Sequence, residues 1–335
     1  MAAFETRQVG RTGVHVTTLG LGTATMGGNR TKVTQATAEA IVRAAWDAGV
    51  RYVDTAPFYG LGFSERRVGD ALRGEDRDSW VLSTKVGRLL HPRVTKEPRA
   101  DGWMTEMPFE VVYDYSYDGI MRSVEDSYQR LGLARIDLLF VHDIGAYQHG
   151  KEANAPHMKA LRESGRKALD KLKADGTIRG IGLGVNEKEV ILEVMSWADW
   201  DVMLLAGRYT LLEQGPLDDL LPLCQQRGTS IVVGGPLNSG ILAGRDTWNY
   251  APAPPEIRER ARRLGEICAR HRVALPAAAL QFPLAHPAVA AVIPGPRNAD
   301  EFRANLGHFR APIPAALWQE LKHEGLIRHD APVPA

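Results

Sequence analysis

The chain has 335 residues, 44% of them apolar and 24% charged, and a formal net charge of +1. That balance is ordinary for a globular fold and gives no broad positive field to attract nucleic acid or an anionic membrane surface. Two distant cysteines, Cys224 and Cys268, rule out a disulfide framework, and no apolar run reaches the ~18 residues of a membrane span.

The N-terminal "MAAFETRQVG" lacks the basic and apolar regions of a signal peptide, so the expected setting is the cytoplasm. Within it, "FETRQVGRTG" predicts a small hairpin. Short apolar runs then recur: "VTTLGLG" from Val16, "YVDTA" from Tyr52, "WVLSTK" from Trp80 and "IDLLFVH" from Ile136. "IRGIGLG" from Ile178, "VMLLAG" from Val202, "SIVVGG" from Ser230 and "VAAVIPG" from Val289 continue the series. Each run is continuous rather than alternating, as in parallel strands buried on both faces. Amphipathic stretches separate them. "TQATAEAIVRAAWDAG" ends at Gly49; "SERRVGDALRG" has Ser64 as an N-cap candidate; "YDGIMRSVEDSYQRLG" stops at Gly132 and "GRKALDKLKADG" at Gly176. Eight such strands alternating with about eight helices predict one α/β domain over residues 1–335. The expected fold is a (β/α)8 TIM barrel with a short N-terminal hairpin. Three strand-to-helix connections are long, at 86–113, roughly 143–164 and 235–256. In a barrel these emerge at the rim where active sites are built.

Polar residues stand where three strands stop. The second run ends at Asp54, with Tyr59 five residues on; the third ends at Lys85 and the fourth at His142. Successive strand ends converge on one rim, so a carboxylate, a phenol, an amine and an imidazole are expected around one cavity. A free phenol ionises near pH ~10, and a neighbouring ammonium held by a carboxylate is expected to lower that value. Tyr59 then serves as acid or base beside a carbinol carbon, with His142 orienting the substrate oxygen. Such a cluster has no electron carrier of its own, so redox chemistry requires a bound cofactor. The spacing of His142, Asp143 and His149 fits no common metal pattern, and no catalytic metal is expected.

"DTAPFYG" with "SERRVGDAL", then "STK" and "LLFVH", resembles the aldo-keto reductases, which are nicotinamide-dependent (β/α)8 barrels. The resemblance runs from "LGLGT" to "IPGPRNADEFRANL" and implies a catalytic tetrad of Asp54, Tyr59, Lys85 and His142. It also implies cofactor contacts: Thr23 and Asn186 near the nicotinamide, Leu237 and Ser239 in the loop over the pyrophosphate. Gly295, Arg297 and Asn305 would hold the adenosine end. The sequence departs from the family pattern at Ala206, Gly234 and Glu301; the last disfavours a 2′-phosphate. NAD is therefore the expected cofactor, with NADP as the alternative.

"HDIGAY", "LLAGRYTLLEQ" and "WNYAP" resemble the branch of the family that oxidises hemiacetals. The implied reaction takes C1 of an aldose (L-fucose or another D-threo-aldose) to a lactone. The alternative substrate is pyridoxal, giving 4-pyridoxolactone. Asp143, Arg208, Trp103, Trp248 and Asn249 are the candidate substrate contacts. The expected partner is a small molecule, neither nucleic acid nor membrane, and the sequence leaves oligomeric state open. Two other classes compete: a Schiff-base aldolase using Lys85, and a non-enzymatic nicotinamide-binding subunit.

Overall fold

The computed structural model describes residues 4–29, 31–95, 97, 101–105 and 107–335. Eight parallel strands form the central sheet: β1 (Leu21–Gly22), β2 (Tyr52–Asp54), β3 (Val81–Val86), β4 (Leu138–His142), β5 (Gly180–Val185), β6 (Val202–Ala206), β7 (Ser230–Gly234) and β8 (Val289–Ile293). They pair in chain order. The first and last approach each other through a parallel bridge between Leu19 and Val292 and a bond from the Gly20 amide to the Val292 carbonyl at 2.9 Å. The sheet is thereby nearly closed into the expected barrel.

Helices sit where the sequence punctuation places them. Thr34 caps Gln35–Asp47, Ser116 caps Tyr117–Leu131 and Asn298 caps Ala299–Arg310, each side chain accepting an orphan amide of the first turn. Gly132 closes Tyr117–Leu131 with φ of 62°. Two apolar layers result. An inner one fills the barrel, with Tyr52, Val81, Leu138, Phe140, Val202 and Val232 among its members. The outer one, far larger, lies between sheet and helices.

Several local expectations change. The hairpin pairs Thr6–Gln8 with His15–Thr17, so Val16 belongs to it and the first barrel strand starts later than "VTTLGLG" suggests. Val9, Val14 and Val16 join the inner layer beside Val81, Leu138 and Val202, which begin or nearly begin their strands; the hairpin thus closes the lower mouth. Ser64 is not an N-cap: the helix runs Phe63–Leu72 from Gly62, and Ser64 lies inside it, buried. Its hydroxyl donates toward Thr23 and accepts from Thr55 at 3.1 Å, tying the helix to the ends of β1 and β2. The connection after β4 is mostly helical, Ala146–His149 and Lys151–Ala160, and passes through a π turn at Leu161–Gly165 into Arg166–Ala174. Helical spacing there was masked by Pro156 and the polar run around it. In the 86–113 connection, Arg88–Pro92 pairs antiparallel with Phe109–Tyr113; positions 96, 98–100 and 106 lie outside the described residues.

Candidate active site

Strand periodicity decides what faces the barrel interior. Successive side chains alternate faces, so Asp54 shares a face with Tyr52, Lys85 with Val81 and Ser83, and His142 with Leu138 and Phe140. Tyr52, Val81, Leu138 and Phe140 belong to the inner layer, whereas Val53, Leu82, Leu139 and Val141 belong to the outer one. Asp54, Lys85 and His142 are therefore inward residues at the upper ends of β2, β3 and β4, at 2%, 1% and 4% exposure. On β5 the inward positions are Gly180, Gly182 and Gly184. A Cβ on Gly184 would lie 3.2 Å from Lys85 Cε, so this glycine makes the room that the lysine occupies.

The buried charges form one chain of bonds. Lys85 Nζ donates to Asp54 Oδ2 at 2.7 Å and to the Thr55 carbonyl at 2.9 Å. Asp54 Oδ1 accepts from Ser83 Oγ at 2.7 Å, and Ser83 meets the Tyr52 hydroxyl at 3.1 Å. Tyr59 stands over this pair: Lys85 Nζ is 4.6 Å from its ring centroid, and the His142 ring meets it edge-on at 5.8 Å. The Tyr59 loop can approach because Gly60, at φ of 64°, passes against the Gly27 backbone, where a Cβ would fall 2.3 Å from the Gly27 carbonyl oxygen.

The electrostatics differ from the sequence expectation. The Tyr59 phenol is held well above its ordinary range, first by burial, then by the carboxylates of Asp54 and Asp143, with Arg88 opposing. Arg88 is the leading cation that opposes this rise; Lys85, 4.6 Å from the ring centroid, is paired with Asp54. Burial, Arg88 and Lys85 together push the His142 imidazole well below its usual value, leaving it neutral. Burial raises the Asp143 carboxyl against the pull of Arg88 and Lys85.

Arg88 is the residue that sequence reasoning missed. Its guanidinium is buried, bonded through Nη2 to Asp143 and to Gln148, and lies 4.2 Å over the Phe58 ring. Asp143 Oδ2 in turn faces His142 Nε2 at 3.4 Å. The one available signal was an arginine inside the otherwise apolar "VGRLL" just past a strand end. Beyond Asp143 a network joins the rim loops. Asn186 donates to Asp143 at 3.1 Å and accepts from the Tyr250 hydroxyl at 3.1 Å; Arg208 binds the Asn186 carbonyl, Glu213 and Asn249. Tyr147 also donates to Asn249, at 3.0 Å, and Trp248 donates to Glu213. Trp103 packs edge-on against Phe58, centroids 5.2 Å apart.

A cavity of about 580 Å³ opens beside Asp54 and Tyr59. Thr23, Asp54, Tyr59, Leu237, Ser239, Gly295, Arg297 and Asn305 line it; Lys85, His142, Asn186 and the five substrate candidates are outside its lining. Its floor is small (Gly22, Gly234, Gly235, Gly295), and its far end carries Arg245, Arg297 and Glu301. A groove with a glycine floor and cations at one end suits a dinucleotide, whose phosphates need close backbone approach and positive charge.

The aldo/keto reductase family profile matches residues 18–324. The chain belongs to the aldo/keto reductase family. It is an NAD(P)-dependent oxidoreductase acting on small molecules. This aldo/keto reductase is 48% identical to pyridoxal 4-dehydrogenase of Microbacterium luteolum, over 98% of this chain and 99% of the relative. It is 38% identical to D-threo-aldose 1-dehydrogenase of a Pseudomonas species, over 94% and 96%. An aldo-keto reductase from Bacillus halodurans in its holo form superposes with a TM-score of 0.76 at 28% identity, over 99% of this chain and 98% of that one. No helix among this reductase's described residues is long and apolar enough to cross a membrane.

Proposed function

We propose that this reductase oxidises a cyclic hemiacetal to a lactone with NAD, the ring form of pyridoxal ahead of an aldose. The observation that carries the proposal is the Tyr59 phenol on the cavity wall beside the buried Lys85–Asp54 pair. A bound nicotinamide supplies the hydride acceptor. The protein does the rest. His142, neutral and edge-on to Tyr59, orients the hemiacetal hydroxyl; Tyr59, ionised to the phenolate, receives its proton as the carbinol C–H bond gives up its electron pair to the hydride acceptor and the lactone carbonyl forms. Asp54 and Ser83 fix the Lys85 ammonium below the ring, where it stabilises negative charge arriving on the phenol.

Pyridoxal is placed first, reversing the order expected from sequence, because the pyridoxal-oxidising relative is 48% identical and the aldose-oxidising one 38%. The Phe58, Tyr59 and Trp103 rings, packed together with Tyr59 on the cavity lining, also favour an aromatic substrate. The aldose reading stays second, supported by the polar rim of Asp143, Arg208 and Asn249; Arg208 already bonds Asn249, and Asp143 bonds Asn186 and Arg88, so a sugar must displace paired contacts.

NAD is proposed over NADP because the Glu301 carboxylate engages the Arg297 amide and guanidinium, and Arg245 at 2.9 Å. A 2′-phosphate would have to win those arginines from Glu301, whereas free ribose hydroxyls can share the carboxylate. Two free, buried cysteines accord with a cytoplasmic setting, which belongs to the same proposal.

The test is to follow nicotinamide reduction with NAD and with NADP against pyridoxal, L-fucose and other D-threo-aldoses. Lactone formation from pyridoxal with NAD is expected. Oxidation of no substrate in the panel would return the chain to a binding role, and borohydride trapping of substrate on Lys85 without nucleotide would make it an aldolase.

A further inference from the structure

The loop after β7 carries a two-residue hairpin turn. Thr247–Trp248 pairs antiparallel with Ala251–Pro252, leaving Asn249 and Tyr250 as the central residues. Both have positive φ, 47° and 63°, which is the type I′ arrangement. Asparagine suits the first of these positions. Glycine is the usual occupant of the second, because a Cβ there crowds the following carbonyl. A tyrosine in that place works against its own turn. Local rules of this kind are broken where a side chain has a task.

The bonds of Tyr250 identify the task. Its hydroxyl donates to Asn186 Oδ1 at 3.1 Å, across 64 residues of sequence. Asn186 Nδ2 donates to Asp143 Oδ1 at 3.1 Å; a carboxylate only accepts, so the orientation of the amide is fixed and Oδ1 must face Tyr250. Both ends of the Asn186 side chain are thus engaged by protein. Tyr250 lines the nucleotide-shaped cavity, and Asn186, bonded to its phenol, is outside that lining. The turn is held in place from below by the Tyr250 amide on Ser239 Oγ at 3.0 Å and by Thr247 Oγ1 on the Ser239 carbonyl at 2.7 Å. From the side, Tyr147 and Arg208 hold Asn249.

We propose that Tyr250 gates the nicotinamide end of the cofactor site: its hydroxyl takes the acceptor on Asn186 that the cofactor carboxamide needs, and must release it when the nucleotide binds. The inference rests on the NAD-dependent reading above and on Asn186 as the carboxamide acceptor. Tyr250 and the carboxamide N–H compete for one oxygen atom. Nucleotide binding therefore carries the cost of breaking one hydrogen bond. Asp143, through Asn186, links this gate to His142 and Arg88.

Calorimetric titration of the full chain with NAD and with ADP-ribose separates the outcomes, since ADP-ribose lacks the carboxamide. Tyr250→Phe keeps the ring and removes the competing donor. It should bind NAD about 3- to 10-fold more tightly, the worth of one ordinary hydrogen bond, and bind ADP-ribose as the wild type does. Asn186→Ala should weaken NAD binding and erase the gain from Tyr250→Phe in the double variant. Unchanged NAD affinity in Tyr250→Phe, or equal changes for NAD and ADP-ribose, would overturn the gate while leaving the nucleotide reading intact. Wild-type protein that binds neither compound would instead remove that reading, and the gate with it.

Discussion

Tyr59 is the side chain on which the proposed chemistry turns, and its surroundings set a testable pH dependence. Burial and the nearby carboxylates of Asp54 and Asp143 keep the phenol neutral at pH 7. A proton acceptor must be ionised, so oxidation should quicken as pH rises, by up to about tenfold per unit between about pH 7 and 10. A profile flat over that range would assign the base to another group. Tyr59→Phe should lose on the order of 10²-fold or more of the turnover while still binding nucleotide, which rate and titration measurements distinguish. Lys85, held by Asp54, stands 4.6 Å from the ring where charge develops in the proposed reaction. The pairing itself was expected from the sequence; that burial and the carboxylates would outweigh it at the phenol was not.

The strands act as rulers. An inward position at the top of each of β2, β3 and β4 follows from alternation alone, which is why Asp54, Lys85 and His142 were legible from "YVD", "VLSTK" and "LLFVH". The glycines of "GIGLG" have the complementary meaning, since Gly184 must stay without a side chain for Lys85, and Gly182 for the Val202 backbone. Gly184→Ala should therefore displace the amine by a few tenths of an ångström and lower turnover on the order of tenfold, with the unfolding midpoint nearly unmoved. Equal losses in activity and stability would make Gly184 a packing residue only. The hairpin after β7 offers a second test at this scale. With positive φ at position 250, Tyr250→Gly should be more stable than Tyr250→Ala by about 1 kcal/mol in denaturant unfolding. The opposite order would show that the turn carries no strain. Helical content after β4 escaped the sequence reading because Pro156 and its polar neighbours obscure the apolar spacing; packing against the barrel restores the helix.

At the scale of the whole molecule, closure of the sheet places Tyr59 and the Arg297–Glu301 pair on the lining of one cavity. Saturating nucleotide should stabilise the entire fold, by about 2.7 kcal/mol at a hundredfold excess over Kd, and NAD should raise the melting temperature more than NADP at equal concentration. A larger shift with NADP would reverse the cofactor assignment and show that Arg245 and Arg297 release Glu301 for a phosphate. By itself the sequence determined the barrel and the identity of the tetrad candidates, because buried-strand composition, helix caps and two-residue periodicity are local properties. Only the tertiary structure decided who pairs with whom: Arg88 with Asp143, Tyr250 with Asn186 and Arg245 with Glu301 lie 55, 64 and 56 residues apart. No local pattern encodes such partners. They are set by loops whose paths depend on packing against the finished barrel, and there burial first, and then the charges brought together, moved Tyr59 and His142 away from their ordinary pKa values.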